Sequence, residues 1–150
     1  MTNANLVVAH FRDGTVVKGA TNDFFPNRPA FHVTPSGAER GQQVRVQDLK
    51  ALFFVKHLEG DPLRVDLRGF IQAPQDNVHG RKIALRFHDG ELVCGYSLAY
   101  ASTRDAFFMF PADPNSNNQR IFVVVASATE VREGAPAEKL AQRTIDGRAA

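Results

Sequence analysis

The side chains best suited to chemistry in this 150-residue chain lie in one polar loop, Ala112-Asp113-Pro114-Asn115-Ser116-Asn117-Asn118-Gln119. Asp113, Asn115 and Asn117 alternate like the first ligands of a calcium loop. Asn118, however, stands where that loop needs glycine for its turn, and Val124 stands where it needs the bidentate glutamate. The segment is therefore expected to be a solvated hairpin loop that offers amide and carboxylate groups for recognition. His10, His32, His57, His79 and His88 show neither the HxH nor the HxxxH spacing that gathers two metal ligands on one element. His10 and His32 are the pair that a sheet could bring together. Cys94 is the single cysteine, which excludes an internal disulfide and a cysteine-based zinc site and leaves a small apolar strand residue. No GxSxG, GxxxxGK[ST] or GxGxxG occurs. Asp13 and Asp89 resemble a carboxylate pair, but each precedes glycine in a turn that wants aspartate for its backbone geometry. These residues predict no enzyme, no cofactor and no metal.

Charge discriminates little, because 18 Lys and Arg against 16 Asp and Glu give a formal net charge of +2, too small to select a nucleic-acid or membrane partner. Lys18, Arg28, Arg45, Arg81, Lys82, Arg86 and Arg104 do alternate with Phe24, Phe25, Phe31, Tyr96 and Tyr100. That mixture lets a barrel attract phosphates and stack bases, so single-stranded nucleic-acid binding is the rival reading. Met1 to Asn5 lacks the basic and apolar regions of a signal peptide, and no apolar run approaches the roughly 20 residues of a membrane span. A soluble cytoplasmic protein with no membrane partner is expected.

The elements that must position these groups are written twice. Val7 to Pro35 realigns on Ile83 to Pro111 at a constant shift of 76 residues, the signature of an internal repeat. Phe11-Arg12-Asp13-Gly14 meets Phe87-His88-Asp89-Gly90, Gly19 meets Gly95, and Phe31 meets Phe107. A shift one residue longer sets Val44-Arg45-Val46 on Ile121-Phe122-Val123 and Ala51 on Ala128. In each copy an alternating strand runs through Asp-Gly into a second, which predicts a hairpin with a two-residue type I′ turn, Phe11 opposite Val16 and Phe87 opposite Leu92. Val7, Ala9 and Phe11 then share the core face, as do Ile83, Leu85 and Phe87. Gly19 and Gly95 fall mid-strand, where glycine marks a bulge or a sharp bend.

Three further short strands follow in each copy: 30–33, 44–46 and 52–55 in the first, 106–110, 121–125 and 129–131 in the second. The chain divides into a first repeat over 1–56, a structured connection over 57–82 with Leu63 to Leu67 as an extra strand, a second repeat over 83–134, and a flexible tail over 135–150 in which Ala137 to Arg143 can form one short helix. Each repeat is near the lower size limit for a self-sufficient core, so the two are expected to share one. Neighbours in a strand point to opposite faces, so Phe53-Phe54 and Phe107-Phe108 each place one ring outside their own unit. Covering such a ring contributes roughly 1.5–3 kcal/mol. The repeat-to-repeat interface is the expected cover, a homodimer or partner surface the alternative.

Asp13-Gly14-Thr15-Val16-Val17-Lys18-Gly19 resembles the first motif of Sm-like proteins, and this resemblance implies a small barrel in each repeat. The Asp and Asn of that family's uridine pocket have no counterparts at the matching distances. The chain also looks like an uncharacterised bacterial domain family with a strand-DG-strand pattern. Lys18 to Phe24, Phe31-His32, Leu49 to Val55, Pro111 to Pro114 and Asn117-Asn118 carry that likeness. It implies a cytoplasmic regulatory setting alongside domains such as PilZ, which bind cyclic di-GMP, although the PilZ signature itself does not occur.

The expectation is an all-β tandem of two small Sm-like or SH3-like β-barrel units packed into one compact body. It acts as a non-enzymatic adaptor that contacts another protein in bacterial regulation, with single-stranded nucleic-acid binding and PilZ-like cyclic-dinucleotide sensing as alternatives. The candidate surface comprises Asn22, Asp23, Arg28, Arg104, Asp113, Asn115, Asn117, Asn118 and Arg120, because loops held on a rigid scaffold are where recognition concentrates. Phe24 and Tyr100 are expected to be core.

Overall fold

The computed structural model describes residues 4–58, 70, 80–113 and 116–149. The first unit supplies β1 (Asn5–Phe11), β2 (Val16–Thr21), β3 (Ala30–Val33), β4 (Gln42–Arg45) and β5 (Leu49–Val55). The second repeats the series as β6 (Arg81–Phe87), β7 (Leu92–Ser97), β8 (Ala106–Pro111), β9 (Asn118–Val124) and β10 (Ala128–Glu133), followed by a helix, α1 (Ala135–Ala149). The extra strand expected over Leu63 to Leu67 lies outside the described residues.

Both Asp-Gly hairpins form, with a different turn from the one expected. The Phe11 amide donates to the Thr15 carbonyl at 2.9 Å and the Gly14 amide to the Phe11 carbonyl at 3.1 Å, so the loop is Arg12-Asp13-Gly14 and His10 opposes Val16. Gly14 takes the left-handed conformation with φ 93°, and no described non-glycine residue has positive φ. Asp13 is excused from it because its carboxylate accepts the Thr15 amide at 2.8 Å, which leaves a type I turn closed by a glycine bulge. Phe87 and Glu91 repeat the arrangement, with Gly90 at φ 90° and the Asp89 carboxylate accepting the Glu91 amide at 3.0 Å. Phe87 therefore does not face Leu92, whose partner is Arg86.

The architecture is mostly β, and among the described residues no sheet closes on itself. Eight strands form one sheet in the order β10-β6-β7-β8-β9-β5-β1-β2, and β3-β4 form a separate pair. The first unit opens because the chain just past β3 makes a single bridge to β2, Thr34 to Ala20. The units join because β5 pairs antiparallel with β9, Leu52 opposite Phe122 and Phe53 opposite Ile121. Gly19 and Gly95 allow the second strand of each unit to be crossed closely: a Cβ at Gly19 would strike the Thr34 carbonyl, and one at Gly95 the Phe110 carbonyl.

Two apolar cores lie on opposite faces of the β5–β9 junction. Leu52, Phe54, Phe122 and Val124 join Val7, Ala9, Phe31 and Val44 on one side. Ala51, Phe53, Ile121 and Val123 join Ile83, Leu85, Phe87 and Phe107 on the other. The paired aromatics thus do bridge the units, since Phe53 leaves the first unit's core for the second and Phe108 packs against the first. A strand buried on both faces needs a nearly continuous apolar run, and every residue of β5 is buried, with Lys50 its one charged member.

The helix expected over Ala137 to Arg143 is the longer α1, Ala135–Ala149. Pro136 sits in its first turn, where the missing amide costs nothing. Ala137 and Leu140 pack on Ala84 with Phe70 and Cys94 beside them, and Lys82 to Glu138 at 2.6 Å and Arg143 to Glu130 at 3.0 Å hold the helix across β6 and β10. Val8, the counterpart of Ala84, faces the second unit's core. The helix therefore covers on the second unit the face that the second unit covers on the first.

Candidate functional site

The nine residues expected at the surface divide into two groups. Asn22, Arg28 and Arg104 are exposed on the β2–β3 and β7–β8 loops, with the Arg28 guanidinium 4.5 Å from the Phe25 ring centre. Asp23 is engaged: its carboxylate accepts the His32 amide at 2.9 Å and the Thr21 hydroxyl at 3.2 Å and pairs with His32 Nδ1 at 2.7 Å. Burial alone would raise its pKa, but these bonds outweigh it and hold the carboxyl below its ordinary value. Asp113 is buried, and Asn115 lies outside the described residues. Asn117 clamps the chain after β5, accepting the His57 amide at 3.1 Å and donating to the His57 carbonyl at 3.0 Å. Asn118 opposes Val55 in the β5–β9 ladder. Arg120 lies over Phe54 at 4.3 Å and Phe108 at 4.7 Å, and burial lowers its pKa. Asn117 at the end of the β8–β9 loop and Arg120 within β9 therefore hold the two units together.

His10 and His32 do not form a metal pair. The His10 ring meets Phe53 edge-on at 4.9 Å while His32 binds Asp23, and no metal-holding cluster of three such groups occurs among the described residues. Phe24 is partly buried against the first unit's core, 5.0 Å from both Phe31 and Phe122, and Tyr100, also partly buried, packs on Phe107 at 5.0 Å.

Lys50 is the charged residue that the sequence reading missed. It interrupts the apolar run of β5, its side chain is only 10% exposed, and its ammonium binds Asp89 at 2.6 Å and Glu91 at 2.5 Å in the second hairpin. The ammonium also lies 4.6 Å from the Phe87 ring centre. Burial pulls the Lys50 pKa down, but the bonds to Asp89 and Glu91 outweigh it and raise the value above 10.5. Asp89 is driven the other way: burial raises it, the Lys50 bond dominates, and its pKa falls below 3.8. The Asp89 contribution to stability is therefore present above pH 3.8 and is lost as pH falls through the folded-state value, whereas that of Lys50 is complete below pH 10.5 and is lost as pH rises through its own. Urea midpoints measured against pH should fall at both extremes, and Lys50→Met should flatten both limbs. Burial and then the Lys50 charge also lower His10 from 6.5, so its contribution starts to fade as pH drops below that value.

A groove of about 850 Å³ opens where β4 approaches the second unit. Arg12, Gln43, Arg45 and Val46 line one side, Asp105, Ala106, Val124 and Val125 the other. Its two sides are matching pieces of the repeat, for the Val46 amide donates to the Pro29 carbonyl at 2.9 Å and the Val125 amide to the Asp105 carbonyl at 2.8 Å. The ladders correct the alignment here: Ala30 pairs with Arg45 and Ala106 with Val124, so the shift grows from 76 to 79 residues. The β8–β9 connection is longer by the difference. Arg45 accordingly occupies the position of Val124. Among the described residues Arg12 and Arg45 make no ion pair, and the outer edge of β4 pairs with no strand. This groove offers two cations, an apolar floor and unpaired backbone.

A family model described as a family of unknown function (DUF6982) matches residues 3–134, a span that covers both units and stops short of α1. No curated protein and no solved structure matches the chain. No described helix is long and apolar enough to cross a membrane.

Proposed function

We propose that this chain, which belongs to the DUF6982 family of unknown function, is a non-enzymatic adaptor that binds another protein in the groove between its two units. The observation that carries this reading is the β4 edge, which pairs with no described strand, beside Arg12 and Arg45, which make no ion pair among the described residues, because open backbone and cations in a concave site are poised for a partner. In this reading each unit is an open relative of an Sm-like or SH3-like barrel, with the strand order β10-β6-β7-β8-β9 in the second unit as its support. A cytoplasmic regulatory setting belongs to the same proposal. Base stacking is disfavoured, since Phe31 and Tyr96, two of the rings it would use, are 1% exposed.

Site-specific photocrosslinking in the native host tests the reading. A crosslinker at Gln47, in the groove, should give a discrete adduct with one protein, identified by mass spectrometry and lost with Arg45→Glu, whereas one at Gln142 on the helix should not. Adducts equally strong from both positions, or none beside salt-sensitive oligonucleotide binding in anisotropy titrations, would overturn it.

A further inference from the structure

Resting on the groove reading, we infer that the partner enters as an extended acidic segment that adds a strand to the outer edge of β4. The precedent is inside the molecule. β9 holds in the second unit the place that β4 holds in the first, and the outer edge of β9 is taken by an antiparallel strand, β5. The edge of β4 is the same position with no such neighbour among the described residues. Val44 and its equivalent Val123 are both buried in their units' cores. At the β9 junction Phe122 and Val124 then reach into the core of the added strand's unit, while Gln43 and Arg45, their equivalents on β4, line the groove.

That exchange of side chains selects the occupant. An apolar strand such as β5 has rings to set against Phe122, but against Gln43 and Arg45 it would leave cations and amides desolvated. A strand with carboxylates on the face toward Arg45 and Arg12 satisfies both, and its amides and carbonyls complete the β4 ladder. The equivalent free edge of a second copy, β10, is the weaker candidate. Glu130 is already bound by Arg132 at 3.1 Å and Arg143 at 3.0 Å, and Arg132 stands in the place of Phe53. Charges of this kind on an edge strand discourage pairing between copies.

The test uses the full chain and a labelled peptide alternating Glu and Thr over about ten residues, long enough to span the edge. At low salt it should bind, protect the β4 amides from hydrogen exchange, and lose about tenfold in affinity, close to 1.4 kcal/mol, with Arg45→Glu. N-methylation of alternate peptide amides should abolish binding in one frame and spare it in the other. Equal binding in both frames, or equal binding of a Lys and Thr peptide, overturns strand addition. So does concentration-dependent self-association in sedimentation velocity that Gln43→Pro, at an amide facing the outer edge, abolishes, which would assign the edge to a second copy. A Gln47 crosslink to a protein that the acidic peptide cannot displace would sink this inference and leave the adaptor reading standing.

Discussion

Phe54→Ala should destabilise the chain by about 3–5 kcal/mol, a large share of what a domain of this size possesses. Phe54 is 2% exposed, touches Phe24 and Phe108, and carries the Arg120 guanidinium on its ring. Truncation removes that ring from the strand that joins the units, and its neighbours on β1 and β9 are fixed by ladders and cannot collapse into the space. Urea denaturation followed by far-UV circular dichroism should show a lower midpoint and still one transition, because β5 and β9 belong to both cores and neither unit can unfold alone. Two resolved transitions would refute the coupling of the two cores through β5 and β9. Phe25→Ala, at a ring 45% exposed, should move the midpoint within about 0.5 kcal/mol.

Gly95→Ala is the second large effect, and it arises without any lost contact. The added Cβ would meet the Phe110 carbonyl oxygen and crowd the Met109 side chain. Backbone cannot rotate away as a side chain can, so β8 must lift from β7 at a cost of roughly 3 kcal/mol. Gly19→Ala should behave alike, since its Cβ would meet the Thr34 carbonyl. Gly147→Ala is the control: it lies in α1 with nothing within 4 Å of the added atom and should raise stability by about 0.4–1 kcal/mol. Comparable losses at Gly147 and Gly95 would remove the close-approach explanation.

The candidate site was legible only in part, for reasons that particular residues make plain. Arg45 could be counted as a strand cation but not placed in a groove, because a one-residue longer shift put it on Phe122 rather than Val124. The faces nonetheless came out right: 77 and 79 differ by two residues, and strand side chains repeat with period two. Asn117 and Arg120 looked like recognition groups because composition cannot say which side of a loop meets protein. Lys50 left one trace in the sequence, a lone cation in an apolar run. Its two acidic partners lie 39 and 41 residues away and carry no local signal.

By itself the sequence determined the repeat, the ten described strands, the place of the two Asp-Gly hairpins and the core faces. Each of these follows from local rules: side-chain alternation, the φ that glycine alone takes readily, and apolar residues seeking cover. Only the tertiary structure decided that the units share one sheet through β5 and β9, that α1 caps the second unit, and that β4 keeps an open edge. Those outcomes depend on which strand edge meets which. The backbone donors and acceptors along a strand are the same whatever its sequence, so the choice is made by side chains far apart in the chain: Phe53 with Ile121, Leu52 with Phe122, and Arg45 where the second unit has Val124.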